Sequence, residues 1–265
     1  MKHAPVGVFD SGIGGLSILR ALRAELPHED FVYIADSGHA PYGERDDVHV
    51  IERSRAITAH LRAQYGIKAL VIACNTATAA AIHLLRAEHP DLPIIGVEPA
   101  LKPAVTHSHT GRIGVMATRG TLSSAKFRSL VESLAGQADF VCQPCDGLAD
   151  AIEREDTTKI IALCADYTKA IGQFGTEIGQ IDTLVLGCTH YPFIGEHLRK
   201  QVGPDVQLID NGEPVARQTR RMLKSLSATD APGQCTLLTT GDPTVLQQVA
   251  RHWLAFERPV KLLAI

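Results

Sequence analysis

Nowhere does the chain run to the roughly 18 consecutive apolar residues that a membrane-spanning helix needs. Its opening, "MKHAPVGVFDSG", has no apolar run of signal-peptide length before a strand begins, so no leader is expected. Charge of either sign is nearly balanced. A formal net charge of −3 gives no electrostatic reason to expect nucleic acid or a membrane surface as a partner. Six cysteines in 265 residues do not make a secreted disulfide scaffold. Cys142 and Cys145 form a C-x-x-C, but no second C-x-x-C or H-x-x-x-H completes a zinc spacing, and no metal is expected. None of the lysines stands in a Schiff-base context, so pyridoxal phosphate is not expected either. There is no low-complexity tract and no long linker. What remains is 45% hydrophobic and 21% charged, as in an ordinary soluble protein of one large or two small domains, read as cytoplasmic with reduced thiols.

Short apolar runs alternate with helical-period segments. "VGVFD" (6–10), "DFVYIAD" (30–36), "KALVIAC" (68–74) and "PIIGVE" (93–98) read as strands, with helices after the first, near 47–65 and to about 88. A second series follows: "RIGVMAT" (112–118), "ADFVCQP" (138–144), a helix near 157–172 and "TLVLGC" (183–188). This is the pattern of an α/β fold with largely parallel sheets, which bind ligands beyond the carboxyl ends of their strands. Gly7 matches Gly114 at separation 107, and Cys74 matches Cys188 at separation 114, which suggests an internal duplication. The tail after residue 205 has no counterpart: "VQLID", a basic helix with Arg217, Arg220, Arg221 and Lys224 read as a solvated face, "CTLLTTGD", and a helix near 243–255.

The chemistry concentrates at two of those strand ends. A free thiol with a pKa near 8.5 is only about 3% thiolate at pH 7, and a helix N-terminus favours the ionised form. "ACNT" (73–76) and "GCTH" (187–190) both put cysteine where a strand is expected to meet a helix. Either cysteine alone reads as a small buried hydrophobe. The matched pair reads as chemistry, and the other four cysteines as structural. "FDSGIGG" (9–15) places Asp10 and Ser11 at the first strand end, with Asp10 either an N-cap or a carboxylate aimed at the ligand crevice. Its spacing is not G-x-G-x-x-G, and Asp36 is a poor match for a ribose-binding acid, which argues against a dinucleotide. The loop "ADSGHAPYGER" (35–45) is too rich in turn formers to be core. His190 lies within reach of Cys188, whereas Glu153 looks like an ordinary helical acid. Two similar weak acid–bases on two halves suit proton exchange with inversion at one carbon, where a nucleophilic hydrolase would need one cysteine only.

"GVFDSGIGGLSILRAL", "PYGER", "ACNTATA", "IGVMATRGT", "LGCTHYP", "DNGEPVAR" and "TTGD" cover essentially the whole chain. The chain resembles the glutamate racemases, cofactor-independent enzymes that make D-glutamate for bacterial peptidoglycan. The resemblance implies two pseudo-symmetric α/β lobes with the active site in the cleft between them. They would be residues 1–98 completed by 208–265, and residues 99–207. It implies catalytic thiols at Cys74 and Cys188, an assisting acid at Asp10, an assisting histidine at His190 and a further site glutamate at Glu153. Substrate contacts fall on Asp10, Ser11, Pro41, Tyr42, Gly43, Asn75, Thr76, Thr118, Thr121, Thr189 and His190. A homodimer is expected. Two departures stand out: Gly38-His39 where the loop usually has a small residue and arginine, and Asn211 where serine is common. Aspartate racemases share the two-cysteine logic but open on a "GGxGP" turn, so glutamate is the favoured substrate. A different two-cysteine isomerase and a non-catalytic two-lobed binding protein are the alternatives.

Overall fold

A computed structural model describes residues 4–223 and 231–265. Its strands are β1 (Val6–Asp10), β2 (Phe31–Ala35), β3 (Ala69–Ile72), β4 (Ile94–Gly96), β5 (Arg112–Ala117), β6 (Asp139–Pro144), β7 (Thr183–Gly187), β8 (Gln207–Ile209), β9 (Cys235–Thr239) and β10 (Lys261–Leu262). The α-helices are α1 (Leu16–Glu25), α2 (Asp47–His60), α3 (Asn75–Glu88), α4 (Leu101–His107), α5 (Arg119–Ser123), α6 (Ala125–Glu132), α7 (Leu148–Glu153), α8 (Thr157–Ile171), α9 (Gly195–Val202), α10 (Gly212–Met222) and α11 (Pro243–Leu254). The chain divides into two compact units, Met1–Val97 with Gly212–Ile265, and Glu98–Asn211.

The first unit holds one sheet in the order β10-β9-β2-β1-β3-β4, and the second a sheet in the order β6-β5-β7-β8. Every strand pairing is parallel, as the alternation of strand and helix predicts. Numbered within its own series, each unit has the strand order second, first, third, fourth, which the matched glycines and cysteines anticipate. Gly7 and Gly114 occupy the same place on the leading strand of each. A Cβ on Gly7 would lie 2.9 Å from Ile67 Cδ1, and one on Gly114 would lie 3.0 Å from Ile171 Cγ2 and Leu184 Cδ1. In both units the bare strand lets large side chains press onto the sheet.

β1, β2, β3 and β7 are buried along their whole length, so they read as continuous apolar runs and not as alternating ones. Phe9, Ile34, Leu70, Ile72 and Leu85 centre the core of the first unit, and Ile113, Val115, Phe127 and Val185 that of the second. Each such side chain contributes roughly 1.5–3 kcal/mol when fully buried. The expected tail is split. "VQLID" does have a counterpart, since it forms β8, which pairs on β7 in the second unit as β4 pairs on β3 in the first. Only from Gly212 does the chain rejoin the first unit, with β9 pairing on β2 and β10 on β9. α10 buries Val215, Ala216 and Thr219 and packs on α1, while Arg217, Arg220 and Arg221 face solvent. Lys224, the last residue of that expected basic face, lies outside the described residues.

Candidate active site

In the first unit the ends of β1 and β3 bring Asp10, Ser11 and Cys74 together. Cys74 caps α3 in extended conformation, and its Sγ accepts the Ala77 N–H at 3.5 Å. The sulfur therefore sits at the positive end of a 14-residue helix, where negative charge is favoured. Cys74 Sγ lies 3.9 Å from Ser11 Oγ, and the Ser11 hydroxyl donates to Asp10 Oδ1 at 3.0 Å. The Gly12 N–H donates to the same oxygen at 2.9 Å. A chain of thiol, hydroxyl and carboxylate thus runs into the interior, where Asp10 is fully buried. Asp10 is not an N-cap: α1 begins at Leu16 after Gly15, with no side-chain cap, because the intervening glycines form a turn before the helix starts. Asn75, the next residue after Cys74, is buried with both Oδ1 and Nδ2 lacking a hydrogen-bond partner. It offers a donor and an acceptor to a polar ligand. Thr76 is buried beside it in sequence.

The loop after β2 departs from the expectation that it holds no core residue. Tyr42 is only 1% exposed, and its ring belongs to the same core as Cys74. Its hydroxyl donates to Asp36 Oδ2 at 2.5 Å, which is what permits a phenol to be buried in a loop rich in turn formers. Asp36 is the hub. Arg53 donates to it from Nε and Nη2, both at 2.9 Å, and the Thr240 hydroxyl donates at 2.8 Å. Burial alone would raise the Asp36 pKa, but the hydrogen bonds from Arg53, Tyr42 and Thr240 and the guanidinium charge outweigh it and hold the carboxyl below its ordinary value. The stability this supplies is present above the unfolded value of 3.8 and is lost as pH falls through the lower folded one. Asp36→Asn is therefore expected to flatten the acid limb of the stability curve, measured as the urea midpoint between about pH 3 and 6. An acid limb as steep as the wild type's would contradict this.

In the second unit Cys188 follows β7, but it does not cap an α-helix as expected. After it come a turn and a 3₁₀ helix, Tyr191–Ile194, and α9 begins only at Gly195. Pro192 explains the delay, since it has no N–H to bond back to the Cys188 carbonyl, which instead accepts the Tyr191 N–H at 3.1 Å in a 3₁₀ turn. A different group stands at this sulfur. Cys188 Sγ lies 3.6 Å from His190 Nδ1, and His190 Nε2 lies 2.6 Å from Glu153 Oε1 at the end of α7. Glu153, unremarkable in the sequence, is thus tied to the histidine. Burial works against a charged imidazole here, but the hydrogen bonds to Cys188 and Glu153 and their charges outweigh it and hold the His190 pKa well above its ordinary value. Where Cys74 has a helix dipole, Cys188 has a histidine whose charged form is favoured. Thr189 is buried between Cys188 and His190 in the chain. Thr118 caps α5, accepting the Thr121 N–H at 3.2 Å, and the two threonine hydroxyls lie 2.9 Å apart. The Asn211 side-chain amide donates to the Leu186 carbonyl at 3.2 Å, so this departure braces β7 just before Cys188.

The other cysteines behave differently. Burial pushes the Cys164 thiol up to about 11 and Cys235 up to about 12, and it raises Cys145 as well. The C-x-x-C is split between an exposed Cys142 and a buried Cys145. Among the described residues no group of three His, Cys, Asp or Glu is arranged to hold a metal ion.

A strand-end thiol with its own acid–base partners, occurring once in each unit, is the arrangement to be matched. Residues 16–219 match the model of the Asp/Glu/Hydantoin racemase family. The chain belongs to that family. Among its relatives, the glutamate racemase of Ectopseudomonas mendocina is 49% identical over 95% of this chain and 89% of its own length. That of Ralstonia nicotianae is 49% identical over 92% and 87%. A glutamate racemase isoform from Bacillus anthracis has the same fold at a TM-score of 0.87, with 31% identity over 100% of this chain and 99% of its own. The Escherichia coli glutamate racemase, solved with L-glutamate and an activator, matches at a TM-score of 0.83 and 27% identity, covering 99% of each. Asp10 and Ser11 precede the stretch of this racemase that the family model matches, but the relatives' coverage extends well beyond it. Sequence reasoning did not single out Arg53 and Thr240, which meet Asp36 from 17 and 204 residues away. No local pattern carries such a contact. It also passed over Tyr191, fully buried with its hydroxyl beside the Cys145 thiol, although the residue stands inside the "LGCTHYP" motif.

Proposed function

We propose that this racemase interconverts L- and D-glutamate by exchanging the α-proton between two thiols, without an organic cofactor or a metal. The observation that carries the reading is the duplicated strand-end cysteine, each with its own relay. Cys74 has Ser11 and Asp10 behind it, and Cys188 has His190 and Glu153. One thiolate removes the α-proton, leaving a carbanion, and the opposite thiol supplies a proton from the other face. By the family resemblance Cys74 serves D-glutamate and Cys188 serves L-glutamate. Ser11, Pro41, Tyr42, Gly43, Asn75, Thr76, Thr118, Thr121 and Thr189 make up the substrate-holding set, and the unpartnered Asn75 amide favours a ligand with both donors and acceptors. The relatives' names support glutamate over aspartate. We infer from the same resemblance that the enzyme works in the cytoplasm as a homodimer, making D-glutamate for peptidoglycan.

The purified protein should abolish the optical rotation of L-glutamate and act far more slowly on L-aspartate. In deuterated water, early D-product should carry solvent deuterium at Cα, because the incoming proton comes from a thiol that never held the substrate's own. Product that keeps the substrate hydrogen would mean one base carries it across, and equal turnover of aspartate would overturn the substrate assignment.

A further inference from the structure

Asp36 is completely buried, and four side chains converge on it: Arg53, Tyr42, Thr240 and His39, whose Nδ1 lies 3.1 Å from Oδ1. A buried ion pair is a poor device for stability, because desolvation of both charges offsets most of their attraction. Its better-attested use is to fix one arrangement among several. Here the arrangement is that of the loop carrying Pro41, Tyr42 and Gly43. Arg53 comes from α2, and Thr240 follows β9, so the carboxylate gathers the loop and both neighbouring elements at one point. The Thr240 hydroxyl oxygen also accepts the Gly38 N–H at 3.1 Å, and a Cβ on Gly38 would fall 2.7 Å from the Thr240 carbonyl oxygen. That closeness accounts for glycine at this departure from the family loop. His39, the other departure, reaches the hub's own carboxylate. Arg53 Nη1 donates further to the main-chain oxygen of Ile265 at 3.2 Å. Because the Tyr42 hydroxyl is committed to Asp36, the ring is an anchor, and the loop addresses its ligand through other atoms.

We propose that Asp36 and Arg53 are positioning residues for glutamate. Their ion pair clamps Tyr42 and so fixes the loop that the glutamate-racemase reading, on which this rests, assigns to the substrate. Neither residue touches the reacting carbon. Loosening the clamp therefore weakens substrate binding more than proton transfer.

The test compares wild type, Arg53→Met, Arg53→Lys and Tyr42→Phe with each enantiomer of glutamate, with thermal melting recorded in parallel. Arg53→Met keeps the aliphatic stem and loses the fork, and it should raise KM about tenfold or more while kcat changes less than about threefold. Arg53→Lys should recover part of the loss, and added guanidinium ion at low millimolar concentration should lower the KM of Arg53→Met while leaving wild type unmoved. Tyr42→Phe, which removes only the tether, should raise KM in the same sense. It decides the matter if Arg53→Met does not fold. A folded Arg53→Met or Tyr42→Phe with wild-type KM overturns the proposal, as does a loss confined to melting temperature. A wild type that does not racemise glutamate fails the underlying reading instead, so the two failures are distinguishable.

Discussion

Cys74→Ala and Cys188→Ala are each expected to lower glutamate racemisation by about a thousandfold or more, in both directions. A positioned acid–base group typically contributes 10²–10⁴-fold, and each tenfold is about 1.4 kcal/mol of barrier. Alanine leaves nothing in its place that can hold the proton. The symmetry of the loss is compulsory. Enantiomers have equal free energies, so the equilibrium constant is unity and any variant must change kcat/KM by one factor in both directions. What separates the two variants is exchange without inversion. Cys188→Ala retains the thiol assigned to D-glutamate and should still wash solvent deuterium into its α-position while leaving L-glutamate untouched. Cys74→Ala should do the reverse. Proton NMR of each enantiomer in deuterated water reads this directly. Substantial racemisation by either variant would remove its cysteine from the mechanism.

His190→Asn should be milder, with kcat/KM falling about 10- to 100-fold, at the low end of such contributions. His190 bridges Cys188 and Glu153, and its raised pKa keeps a positive charge facing the sulfur as negative charge develops there. Its removal burdens only the step in which Cys188 exchanges a proton with the α-carbon. Since kcat/KM must fall equally in both directions, the lopsidedness has to appear elsewhere, in the isotope effect. From L-glutamate deuterated at Cα, the burdened step breaks the C–D bond, so the effect on kcat/KM should grow. From deuterated D-glutamate that bond breaks at Cys74, in the unburdened step, so the effect should shrink. Asp10→Asn, acting through Ser11 on Cys74, should give the mirror image. Equal isotope effects from both enantiomers in His190→Asn would detach the histidine from Cys188.

The contrast between the two thiols also marks how far the sequence was legible. Strand existence and order of appearance followed from apolar runs buried on both faces, and the matched Gly7/Gly114 and Cys74/Cys188 pointed to the repeated strand order that the two sheets share. Runs of this kind are local and read off directly. The Cys188 environment is not, because small polar residues predict a helix start there and Pro192 shifts it to Gly195. Only the resemblance points to Glu153, since nothing in "DGLADAIERE" says that its carboxylate meets a histidine 37 residues on. The Asp36 hub was the least legible feature. Its partners come from α2 and the end of β9, so only the folded sheet brings them within hydrogen-bond reach.

The interrupted course of the first unit bears on how the chain is made. Phe31 of β2 finds its neighbour Cys235 on β9 only after the whole of Glu98–Asn211 has been synthesised. At 5–20 residues per second that is a wait of roughly 10 to 40 s. Throughout it β2, with the sequence FVYIA, presents an unpaired apolar edge, the kind of surface that recruits other strands. The second unit is continuous and need not wait. A nascent chain therefore passes through a stage with one unit able to close and the other open along β2, the stage at which a holding chaperone has most to protect. Trimming the gene from its 3′ side would recreate that stage permanently, and the damage would surface at residues 31–35, some two hundred positions upstream of the cut.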